Sequence, residues 1–130
     1  MGTASDKPSP RPAILDTEQL DQLRDLPGNG DGTLLDELIE IVSRDVPPDL
    51  ARLQAMVRQR SGPEVAQLAH RIAGSAASLG ALSLRQTLHE LEQTGRKADW
   101  AAADRLLAGL DQEWAGTCAA LRDAARRPLA

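Results

Sequence analysis

Apolar positions along the chain recur at three- and four-residue intervals, the spacing of amphipathic helices rather than the alternation of strands. Asp16, followed by Gln19, reads as an N-cap, and a short first helix over 17–26 buries Leu20, Leu23 and Leu26. Pro27-Gly28-Asn29-Gly30-Asp31-Gly32 ends it in a dense turn signal. A second helix starts near Thr33 with the stripe Leu34, Leu35, Leu38, Ile39 and Val42. Pro47 and Pro48 remove backbone donors within it, so one kinked helix is expected to run on to about Arg60. Ser61-Gly62-Pro63-Glu64 opens a third helix, with Ser61 as cap and Glu64 placed for a capping box, ending near Ser78. Leu79-Gly80-Ala81 breaks the chain. A fourth helix over 82–94 buries Leu84, Leu88 and Leu91 and closes at Gly95. The last helix, capped by Asp99 and running to about 126, presents Leu106, Leu107, Leu110, Trp114 and Leu121. Amphipathic helices joined by short loops predict an all-α antiparallel four-helix bundle with an additional short N-terminal helix, a single domain over 14–127.

Composition sharpens this picture. Hydrophobic residues make up 42% of the 130, but Phe and Tyr are absent and the two Trp, Trp100 and Trp114, are the only aromatics. The core must come from Leu, Ile, Val and Ala, which favours helix. Pro8, Pro10 and Pro12 alternate through a polar stretch, so residues 1–13 read as a flexible tail or linker. A net charge of −4, with basic residues dispersed among acidic ones, argues against nucleic acid as partner. Cys118 stands alone, which excludes a disulfide framework and a thiolate metal cluster and fits a small buried hydrophobe. No apolar run approaches a membrane span or a signal-peptide core, so no direct membrane contact and a cytoplasmic location are expected, and a monomer.

The candidate chemistry lies on the third helix. With Val65 as the origin of a wheel at about 100° per residue, Leu68, Ala69, Ile72, Ala76 and Leu79 cluster on the core side and His70 falls roughly 140° away. His70 is therefore expected to face water, either as an ordinary surface residue or as a working imidazole. Ala66, Ala73, Gly74 and Ala77 are expected around it on the same exposed side, where long charged residues are usual. A mid-helix Gly costs about 1 kcal/mol relative to Ala, so Gly74 calls for a reason. It either clears space for an approaching partner or allows close helix packing. A solvent-exposed imidazole is substantially neutral at pH 7, and one ring nitrogen can attack phosphorus. The chain has no phosphate-binding loop, kinase motif set or magnesium-binding carboxylate cluster, so that machinery must come from a partner. The Gly28–Gly32 stretch lacks the spacing of a calcium loop and reads as a turn, and no metal site is expected. His89, among Arg85, Gln86, Glu92 and Gln93, reads as a surface residue.

His70-Arg71-Ile72-Ala73-Gly74-Ser75-Ala76-Ala77-Ser78-Leu79-Gly80-Ala81 resembles the signature of the histidine phosphotransfer (HPt) domains of multistep phosphorelays. The similarity extends over about 15–125, through Ile14-Leu15-Asp16, Leu88 to Glu92 and Gly95-Arg96. The resemblance implies a helical bundle whose His70 accepts a phosphoryl group from a receiver-domain aspartate and passes it to another receiver. The module would be a phosphocarrier rather than an enzyme, with magnesium and most catalytic groups held by the receiver, in some cases that of a hybrid sensor kinase. By the same resemblance Ala66, Gln67, Arg71, Ala73, Gly74, Ala77, Glu92 and Arg96 would be docking or phosphate-proximal. Two positions depart from the family pattern: Ala73 stands where Lys is common, and Glu92 where Gln is frequent. Arg71 and Arg96 are the candidate replacement cations. The alternative function is a domain that docks a receiver or other regulator without carrying phosphate.

Overall fold

A computed structural model describes residues 13–126; the Pro-rich stretch read as a tail lies, apart from Ala13, outside the described residues. Six helices make up the described chain: α1 (Thr17–Asp25), α2 (Leu34–Arg58), α3 (Gly62–Ser78), α4 (Leu82–Lys97), α5 (Trp100–Ala108) and α6 (Leu110–Arg126). α2 packs on α3 and α3 on α4, and α5 and α6 together fill the fourth position, touching both α4 and α2. The architecture is an all-α helical bundle, with α1 laid against α2. Leu35, Leu53, Val57, Val65, Ile72, Leu84, Leu88, Leu91, Leu110 and Leu121 are fully buried in its core.

Local chemistry accounts for most boundaries. Asp16 caps α1 by accepting from the Gln19 amide at 3.2 Å. Thr33 and Asp36 form a reciprocal capping box at the start of α2. α2 runs unbroken through Pro47 and Pro48, both exposed. The Gly-rich turn before it closes on itself, Gly28 N–H donating to Gly32 O at 3.0 Å. Gly80 turns the chain between α3 and α4 with φ of +64°, a conformation Gly adopts without steric cost.

Several expectations change. Leu26 lies just past the end of α1 in extended backbone and is exposed rather than buried. Ser61 makes no side-chain capping bond, although Pro63 occupies the first turn as anticipated. Gly95 does not close α4: the helix continues to Lys97, and Ala98, at φ of +55°, supplies the left-handed cap. Gly95 instead lies where α4 crosses α3. A methyl group on Gly62 would stand 2.6 Å from Gly95 O, and one on Gly95 would stand 2.9 Å from both Gly62 O and Val65 Cγ1. The two glycines let the backbones touch. Finally, the segment read as one last helix is two, divided at Gly109. The apolar stripe continues in phase across that break, so periodicity could not reveal it. Cys118 is half-buried rather than buried, and burial pushes its thiol pKa up.

Candidate functional site

The glycine crossing sets the site. It brings the last two turns of α4 against the first half of α3, so that Glu92, one turn before Gly95, meets His70. The His70 side chain is 70% exposed, whereas that of Glu92 is only 6% exposed. His70 Nδ1 lies 3.1 Å from Glu92 Oε1. The other carboxylate oxygen accepts from the Arg96 guanidinium, one helical turn on. His89 Nδ1 stands 3.6 Å from the same Oε1 that holds His70. One buried carboxylate is thus ringed by two imidazoles and a guanidinium.

The charge on Glu92 follows from this ring. Burial by itself pushes its pKa up, but hydrogen bonds from Arg96 and His70 and their positive charge outweigh it, leaving the carboxyl below its ordinary value. Glu92 is therefore ionised at neutral pH and can only accept. A neutral His70 must then carry its proton on Nδ1 and its lone pair on Nε2. Nε2 has no hydrogen-bond partner among the described residues. Beside the ring runs an open groove of about 580 Å³, lined by Pro63, Ala66, Gln67, His70, Gly95 and Arg96.

The small residues around His70 divide into two groups. Gly74 is exposed, and a methyl group added there would meet nothing within 4 Å. Ala77 is half-buried, and its carbonyl accepts from the Gln19 side chain at 2.8 Å. Ala66 and Ala73, expected on the exposed side, are instead buried at 7% and 3% exposure. The reason is geometric. α3 packs against two helices, so its buried arc extends past the apolar stripe and takes in the positions roughly 80–100° from Val65. Gly62, Ala66, Ala69, Ala73 and Ala76 form a continuous small-residue row on that arc, which serves helix packing. Arg71 is exposed but turned toward α2, where it pairs with Asp49 at 2.9 Å. Gln67 is exposed.

The family resemblance placed Glu92 near the imidazole but did not show its burial, its pairing with Arg96 or the second imidazole. A Glu at i and an Arg at i+4 was the available signal. Among the described residues no group of three or more His, Cys, Asp or Glu is arranged to hold a metal, and no helix is long and apolar enough to cross a membrane.

An exposed imidazole on a bundle helix, backed by a buried carboxylate, thus opens on a groove. The family model for the Hpt domain matches residues 37–124, and the chain belongs to that family. No curated protein and no solved structure shows significant similarity to it. Membership places the chain among the histidine phosphotransfer modules of two-component phosphorelays.

Proposed function

We propose that His70 is the phospho-acceptor of a relay, taking a phosphoryl group from the aspartyl phosphate of one receiver domain and passing it to the aspartate of another. The observation that supports this reading most directly is the 3.1 Å contact between His70 Nδ1 and the buried Glu92 carboxylate. Glu92 holds the Nδ1 proton, so the Nε2 lone pair sits on the exposed edge of the ring. In the forward step that lone pair forms a bond to phosphorus while the bond to the aspartyl oxygen breaks. The electron pair leaves with the aspartate, and the Nδ1 proton stays on the ring. The carboxylate of Glu92 faces the positive charge that the imidazole acquires, the same logic by which a buried acid supports histidine in acyl-transfer enzymes. It lies on the Nδ1 side, away from the incoming phosphoryl group, and Arg96 offsets its charge. Arg96 spends one nitrogen on Glu92 and borders the groove, so its other donors are available to phosphoryl oxygens. Arg96 thereby serves as the cation that Ala73 does not provide. Magnesium, in this reading, belongs to the receiver and offsets charge on the phosphoryl group there.

One observation favours the alternative of docking without transfer: position 73 is apolar and buried, so the usual Lys is missing from the site. The two readings separate in one experiment. Phosphorylated receiver domains are incubated with the intact protein and with His70→Gln. Acid-labile label on the intact protein alone is the expected result. Receivers that bind both proteins yet label neither would leave docking as the function.

A further inference from the structure

Charge is unevenly distributed along α2. The first part of α2, through Asp49, carries Asp36, Glu37, Glu40, Asp45 and Asp49 against a single Arg44. From residue 50 to residue 63 the sequence has Arg52, Arg58 and Arg60 and no acid at all. Asp49 sits at the boundary. Its Oδ1 accepts from Arg52 at 3.1 Å and, across the helix interface, from Arg71 at 2.9 Å. Arg71 follows His70 directly in sequence, and the Asp49–Arg71 pair links α2 to α3 beside it. Both guanidiniums remain well exposed, 58% for Arg52 and 60% for Arg71, while Asp49 is 20% exposed. One carboxylate oxygen thus serves two cations whose remaining donors point into solvent. In a chain of net charge −4, this flank of the site holds an unneutralised positive charge.

We propose that Arg52 and Arg71, organised by Asp49, form a partner-selecting clamp that docks receiver domains carrying an acidic side chain on the rim of their docking face, outside the carboxylates that hold magnesium. The clamp rests on the relay reading for the identity of the partner, but not on phosphate transfer itself. Its electrostatic logic is that of a rim contact. Each cation is held in place before the encounter, so an acidic partner group meets donors already oriented, and the wrong partner meets repulsion. Asp49 is the positioning residue. Without it the two guanidiniums repel each other and lose their common orientation.

The test measures affinity rather than labelling. Purified receiver domains in two sets, acidic or basic on that rim, are titrated against the wild-type chain and the Arg52→Glu/Arg71→Glu variant. Arg52→Gln/Arg71→Gln is carried in parallel as the milder change, and circular dichroism checks the fold of both. The acidic set is expected to bind the wild type more tightly, and the double reversal to weaken that binding by about tenfold at low salt, the difference shrinking as salt screens it. Changing the receiver's acid to Lys should restore affinity for the reversed variant. This pattern supports the clamp even if His70 never labels, a result that would count against the relay alone. Equal affinity of folded wild-type and variant proteins for the acidic set, or a loss that salt does not diminish, overturns it.

Discussion

Replacing Gly95 by Ala sets two physical effects against each other with opposite signs. Helix propensity alone favours the change by about 1 kcal/mol, because Gly95 lies inside α4 rather than at its end. Packing opposes it. The added methyl would stand 2.9 Å from Gly62 O, 2.9 Å from Val65 Cγ1 and 3.1 Å from Ala66 N, where ordinary contact begins at 3.4 Å. Two of those three atoms are backbone and cannot rotate away, so α3 and α4 must part by about 0.5 Å at the crossing. Overpacking of this kind costs about 1–3 kcal/mol, and contact with backbone belongs at the upper end, which leaves a net loss of about 2 kcal/mol. The same separation lengthens the 3.1 Å bond between His70 and Glu92 toward the limit of useful hydrogen bonding. Denaturant titration should show the lower stability, and ¹⁵N chemical shifts of the His70 ring should show the Nδ1–H tautomer losing its dominance. Gly74→Ala is the internal control. It carries the same propensity gain with no atom within 4 Å, so it should stabilise by about 1 kcal/mol. If Gly95→Ala is as stabilising as Gly74→Ala, the crossing does not control the site and the reasoning fails.

Further outcomes follow from the buried carboxylate and the small-residue row. The Glu92 carboxyl is held below its ordinary value of 4.5, so the stability it contributes is present above that pH and is lost as pH falls through the lower folded value. Glu92→Gln should flatten the acid limb of a plot of unfolding free energy against pH, and superimposable limbs would show that the carboxylate is not held as described. Ala73→Lys, which looks from the sequence like restoration of a missing cation on an open face, should destabilise the fold by about 1–3 kcal/mol in thermal melts, because the lysine stem must thread out from a packed position. A neutral melt would place Ala73 back on the surface.

Much of the fold was legible because its cues are local. Asp16 and Asp99 cap the helices they were read to cap, α2 begins at Thr33 as expected, and Gly80 makes the turn between α3 and α4. What was not legible depends on contacts between distant residues. The wheel gives the centre of the apolar face of α3 but not its width, which is set by having α2 on one side and α4 on the other. Ala66 and Ala73 therefore looked exposed. Gly95 carried the mark of a helix end, and only the position of Gly62 across the interface reveals it as a crossing point. For Glu92 the family resemblance indicated nearness to the imidazole but not burial. Its burial, and with it the tautomer of His70, exists only once α3 and α4 are that close.

The N-terminal segment also ties down the far end of this helix pair. Asp16 N–H donates to Gly80 O at 2.7 Å, Leu82 N–H donates to Ile14 O at 3.0 Å, and the Gln19 amide reaches the carbonyls of Ala77 and Ser78. These bonds join residues about sixty positions apart in sequence, whereas the α3–α4 hairpin is built from near neighbours. Closing a long loop is entropically slower than zipping a local hairpin, so the strap should form last and open first. In native-state hydrogen exchange the amides of Asp16 and Leu82 should then report a single opening event of low free energy, separate from the more protected core of α3.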